Sequence, residues 1–155
     1  MAIYKLSDDF YEDSYTLIAI HGSLDGYRLA YFLNATFQIK LQRLKADVSI
    51  SEGVSMPAYK WFDEHNEVSW SLIKNKVTIK QAQTGTSLFE HSQRVYFIPE
   101  YSKVDYFVMI EEEGGYRKAL EAINKINKLP GVITAYKIEE EQLKSKNNLI
   151  FLTNA

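Results

Sequence analysis

The sequence predicts an α+β fold: a mostly antiparallel sheet with two main helices and a ferredoxin-like β-α-β unit at the C-terminal end. Three observations predict it. Helical patterns occur in two places only, separated by a run of short strand patterns rather than a repeating βα alternation. The strand patterns are β-branched and aromatic, and aromatic residues reach 14% of the chain, with eleven Tyr, eight Phe and two Trp. The last helical pattern is flanked on both sides by apolar strand patterns, the order of a split crossover.

Ser14 to Ile20 is a short apolar run and reads as a buried strand. His21-Gly22-Ser23 breaks it, and Leu24 to Asn34 has helical character, with Ser23 or Asp25 as N-cap. Leu24, Tyr27, Tyr31 and Asn34 share one side of that helix, while Leu29, Phe32 and Leu33 cover much of the rest. A helix so apolar around its girth is expected to be buried within the monomer or to meet a partner chain. Thr36 to Ile50 alternates, with Phe37, Ile39 and Leu41 before a one-residue slip and Leu44, Ala46, Val48 and Ile50 after it. One bulged strand or two short strands would produce that slip. Gly53 to Pro57 reads as a loop.

Ala58 to Asp63 and Val68 to Lys74 form a hairpin around the polar turn Glu64-His65-Asn66-Glu67, which can set Trp61 and Trp70 on one layer. Val77 to Gln81 extends the meander, Gln81 to Ser87 is a polar connection, and Leu88 to Ile98 is the next strand. Pro99 ends it, having no N–H to give to a ladder. Val104 to Ile110 is apolar on both faces, as a central strand is. Tyr116, Ala119, Leu120, Ile123, Ile126 and Leu129 hold helical spacing until Pro130-Gly131 stops them. Val132 to Ile138 alternates as a strand, Glu139 to Lys146 is a charged connection, and Leu149 to Leu152 reads as a last short strand. No repeat, low-complexity run or linker interrupts the 155 residues, so one α+β domain over 1–155 is expected.

Composition narrows the function classes. A net charge of −2 lacks the basic excess of a phosphate-binding surface, so nucleic acid is not an expected partner. The absence of cysteine excludes disulfides, thiol nucleophiles and thiolate metal sites. Residues 1–10 show no signal-peptide pattern and no stretch approaches a bilayer span, so a cytoplasmic protein with no membrane partner is expected.

Chemistry-bearing patterns are sparse. His21, His65 and His91 are scattered, with no ligand at metal-binding spacing, so no metal, no cofactor and no catalytic set is expected. His21-Gly22-Ser23 lies where a strand turns into a helix, a place where backbone N–H groups suit an anion, and it is a candidate ligand-binding turn. The glutamates at 111–113 point alternately to opposite faces of a strand end and read as solvated. Within 98–106, Pro99 fixes a defined turn, Glu100 follows it, and Asp105 sits in strand sequence beside Tyr106, where a carboxylate is disfavoured. Pro99, Glu100, Asp105 and Tyr106 are therefore the candidate functional residues. Asp105 is expected either to cap backbone groups or pair with Lys103 or Arg94, or else to act as an acid/base group.

Ile98-Pro99-Glu100 followed by Val104-Asp105-Tyr106 resembles the Ile-Pro-Glu-x-x-x-Val-Asp-Tyr signature of a family of small bacterial proteins. Pro130 to Ile138 and the closing Leu143 to Phe151 are similar to that family as well. The resemblance implies family membership and carries no catalytic residues with it. Leu129-Pro130-Gly131-Val132 resembles the helix-to-strand corner of ligand-sensing domains of the ACT type. The expected function is a non-enzymatic protein-binding or adaptor module, self-associating as a homodimer or bound to another protein. A small-molecule-binding regulatory domain is the alternative, an enzyme using Glu100 or Asp105 comes third, and RNA binding is a remote fourth.

Overall fold

The computed structural model describes residues 15–81, 91–139, 144, 148, 149 and 152. In chain order these residues form β1 (Tyr15–Gly22), α1 (Gly26–Phe37), β2 (Gln42–Arg43), β3 (Val48–Ser51), β4 (Val54–Met56), β5 (Ala58–Asp63), β6 (Val68–Lys74), β7 (Lys76–Gln81) and β8 (His91–Tyr96). A 3-10 turn (Pro99–Tyr101), β9 (Tyr106–Glu112), α2 (Ala119–Asn127) and β10 (Val132–Ile138) follow. The fold is α+β with an antiparallel six-stranded sheet in the order β10-β1-β9-β6-β5-β2. Because β9 and β10 both run antiparallel to β1, they are parallel to each other with β1 between them, and α2 makes the crossover.

The central strands are apolar on both faces because both faces are covered. Ile18, Ile20, Val108 and Ile110 pack under the helices with Leu29, Leu33 and Ile126. Leu17, Ala19, Phe107 and Met109 face the other way, under Val48, Met56, Phe97, Ile98 and Val104. The second face is roofed by two small hairpins, β3–β4 and β7–β8, and by the segment that carries the 98–106 motif.

Several expectations need correction. The first helix begins at Gly26 and runs to Phe37, so Leu24 precedes it and packs against Gly131 instead. It buries only Leu29, Ala30 and Leu33; Tyr27 and Tyr31 are 64% and 68% exposed, since the sheet covers one side of the helix. The slip in alternation between Leu41 and Leu44 reflects two short strands rather than one bulged strand, and these two, β2 and β3, lie in different sheets. Ile39 and Leu41 belong to the helix-side core, whereas Leu44, Val48 and Ile50 belong to the opposite one. The chain passes around the sheet edge between them, through β2. The expected loop at 53–57 contains β4, paired with β3. After Lys74 the meander does not continue: β7 leaves the main sheet and pairs with β8 alone. Within the second helix Leu120 is exposed and Ala122 is buried in its place. Asn148, Leu149 and Leu152 have helical backbone rather than a strand; most of the expected connections at 81–87 and 139–146, and the first three residues of the expected strand at 88–98, lie outside the described residues. Among the described residues no helix is long and apolar enough to cross a membrane.

β10 is one edge of the sheet, and its outward backbone is covered at Ala135. Asn127 accepts a hydrogen bond from the Ala135 N–H (2.8 Å) and donates one to the Ala135 carbonyl (3.0 Å). In an antiparallel strand these two groups point to the same side, so the amide stands where another strand would pair. Asn127→Ala is expected to lose about 1–3 kcal/mol in urea denaturation and to associate through the freed edge with rising concentration, read by light scattering after gel filtration.

Candidate functional site

The motif is a strap held by a residue outside it. Ile98 and Val104 are fully buried anchors, Pro99 opens the 3-10 turn, and Asn75, 0% exposed, lies between them. The Asn75 side chain accepts from Ile98 N–H (2.9 Å) and donates to the carbonyls of Tyr101 (2.9 Å) and Val104 (2.8 Å). Its backbone N–H donates to the Asp105 carbonyl, and its carbonyl accepts from Phe97 N–H. Every polar group of this residue is satisfied, the condition on which a buried amide stabilises a fold.

The two candidate regions of the sequence meet here. Gly22 N–H donates to Asp105 Oδ2 at 2.8 Å, and Lys76 Nζ lies 3.3 Å from Oδ1. The anion accepted by the His21-Gly22-Ser23 turn is thus the chain's own carboxylate. Asp105 precedes β9, is partly exposed, and pairs with Lys76 rather than Lys103 or Arg94. Gly22 is required because a Cβ there would come within 2.5 Å of the Gly131 carbonyl oxygen. His21 turns to Tyr136, ring against ring at 5.5 Å with Nε2 3.0 Å from the phenol oxygen. Ser23 is exposed, and Asp25, the N-cap of α1, makes no side-chain capping bond. Glu100 lies exposed on the 3-10 turn and accepts from Lys144 N–H at 2.9 Å.

Tyr106 is the motif residue that reaches a pocket. It borders a space of about 320 Å³ with Asp25, Gly26, Arg43, Tyr59 and Lys74. Its hydroxyl donates to the Leu24 carbonyl at 2.9 Å, which ties the motif to the entry of α1. Burial, then the charges of Asp25 and Asp105, push its pKa up to about 12.

A larger recess is at the other end of the same strands. A cleft of about 690 Å³ lies between the end of α1, the β5–β6 turn and residues 112–118. Its aromatic lining comprises Phe37, Trp61, Trp70 and Tyr116. Trp61 and Trp70 are direct cross-strand partners, Phe37 lies 5.3 Å from Trp70, and Tyr116 meets Trp70 edge-on at 5.7 Å. One row further out, Asp63 pairs with Val68 and Val68 with Glu112, so both carboxylates flank Val68 on the helix side of the sheet. Asp63 is committed to the turn: the Asn66 side chain first, then the N–H groups of Asn66 and His65, donate to its carboxylate and hold its pKa down. Burial and then Glu112 raise the pKa of Tyr116. Glu113, Arg117 and Lys118 complete the charged rim, and a neighbouring lobe of about 340 Å³ continues past Tyr116 to Glu121 and Lys125.

Sequence reasoning placed Trp61 and Trp70 together but missed Asn75 and the position of Glu112 in the cleft lining. A lone Asn after a strand carries no local signal, and three consecutive glutamates read as solvated. Among the described residues no three His, Asp or Glu side chains gather as a metal site requires.

Asn75→Ala is expected to cost about 3–5 kcal/mol by leaving three buried backbone groups unpaired, and Asn75→Asp should not rescue it, since it cannot donate to the two carbonyls. Urea denaturation checks both. A folded-state pKa raised above the ordinary value of 10 stabilises the protein below that pH, and the stabilisation is lost as pH rises towards about 12. Stability should therefore fall across that window, and less steeply in Tyr106→Phe, whose ring cannot ionise. Comparison of the chain with protein-family models, curated proteins and solved structures finds no match to any of them.

Proposed function

We propose that this protein is a non-enzymatic ligand-binding domain whose site is the aromatic cleft, with a small organic molecule as its occupant. The observation that carries this reading is that both tryptophans of the chain are cross-strand partners lining one recess of about 690 Å³. A broad aromatic floor with a few charged groups at its rim is the usual construction of a small-molecule site. The carboxylates of the motif support binding rather than catalysis, because Asp105 is engaged by Gly22 and Lys76 and Glu100 by the Lys144 backbone. We read the chain as a member of the Ile-Pro-Glu-x-x-x-Val-Asp-Tyr family on its motif residues, with the motif serving as a structural strap.

A second reading, docking to a protein or to another copy, is favoured by the exposed Tyr27 and Tyr31 of α1. Native mass spectrometry on protein isolated gently from its own cells separates the two. An adduct of metabolite size is expected, and the same small-molecule fraction should shift both tryptophan indole N–H resonances in a 1H–15N spectrum of the free protein. Trp61→Ala should weaken that binding about tenfold. A co-purifying protein with unmoved indole resonances would instead establish the docking reading.

A further inference from the structure

We propose that the cleft recognises its ligand through a cationic group, an ammonium carried on an organic molecule; this inference rests on the cleft being the binding site. Three features of the recess converge on that chemistry. Trp70, only 4% exposed, is the floor: Tyr116 packs edge-on against it and Phe37 is tilted at 39° to it, so the ring surface open to a ligand is that of the half-buried Phe37, Trp61 and Tyr116 around it. Ring faces carry partial negative charge and attract an ammonium, most strongly where water is displaced.

The second feature is the placement of formal charge. Asp63 and Glu112 are two strand spacings apart across the row, roughly 10 Å, and bracket the apolar Val68 just outside the tryptophan pair. Asp63 is occupied by its own turn, whereas the Glu112 carboxylate has no hydrogen bond or ion pair among the described residues. Glu112 therefore supplies a carboxylate with no direct partner among the described residues, within electrostatic reach of Tyr116. Glu113, Arg117 and Lys118 are all exposed at the rim, where solvent screens them alike, and the two cations stand where an anionic tail of the same ligand would be met.

The third feature is internal. In the adjoining lobe Lys125 Nζ lies 5.7 Å from the centroid of Phe37 and 3.2 Å from Glu121 Oε1. An ammonium between an aromatic ring and a carboxylate is thus already built into one end of this groove. The main cleft repeats the same two components, aromatic rings and a carboxylate, with Glu112 in place of Glu121.

The test compares choline with its uncharged tert-butyl analogue, in which carbon replaces the ammonium nitrogen, at fixed ionic strength. The two indole N–H resonances are the readout, assigned with Trp61→Phe. Choline is expected to shift both resonances saturably and to bind about tenfold more tightly than the analogue. Glu112→Gln, read where its thermal midpoint shows it folded, should reduce that preference to less than about twofold, and an undiminished preference would overturn the role given to Glu112. Equal affinities for the two probes, or a preference for the analogue, would overturn the cation inference. So would the absence of any shift with choline into the tens of millimolar. In each of those cases the cell-derived fraction decides the broader reading separately: if it still shifts the indoles the cleft is a binding site of another chemistry, and if it does not that reading falls too.

Discussion

The buried amide of Asn75 is the constraint on which the arrangement of this molecule depends. Lys74 and Tyr106 form the last pair of the β6–β9 ladder, and the next residue must let one chain leave the sheet while the other enters it. A fully buried Asn does this because it carries donors and acceptors on both backbone and side chain. It substitutes for a strand partner to Phe97, Ile98, Tyr101, Val104 and Asp105 at once. An apolar residue there would fill the space but strand several backbone groups away from water, and the motif would have nothing to fold around.

From that point the construction passes outward by short, directional contacts. The strap delivers Asp105 to the Gly22 N–H, closing the β1 turn, and delivers the Tyr106 hydroxyl to the Leu24 carbonyl, fixing where α1 starts. At the far end of α1, Asn34 accepts from Leu41 N–H and donates to its carbonyl, and Phe37 is thereby held against Trp70. The motif and the cleft stand at opposite ends of one ladder, Lys74–Tyr106 at one end and Val68–Glu112 at the other, about 20 Å apart at strand spacing. The 98–106 motif thus supports the β1 turn and the start of α1, and the aromatic recess is made of residues outside it.

Asn34, Asn75 and Asn127 use the same device in three places. Each presents its amide to both a backbone N–H and a carbonyl, standing in for a strand that is not there. The device suits a sheet whose strands are interrupted by inserted hairpins, because every exit from a ladder leaves polar groups to satisfy.

How much of this was legible in the sequence follows from the range of each interaction. The hairpin around 64–67, the two-sided strands at β1 and β9, the stop at Pro130-Gly131 and the break at Pro99 depend on backbone geometry and on periodicity within a few residues, and the chain by itself determined them. Where periodicity misled, as at 37–50, residues of like spacing belonged to opposite cores, which spacing cannot express. The partner of Asp105, the destination of the Tyr106 hydroxyl and the role of Asn75 join residues 20 to 80 or more positions apart. The cleft likewise draws on α1, one hairpin and the turn before α2. Only the tertiary structure decided these, because a side chain's chemistry is set by what surrounds it, and here the surroundings come from distant parts of the chain.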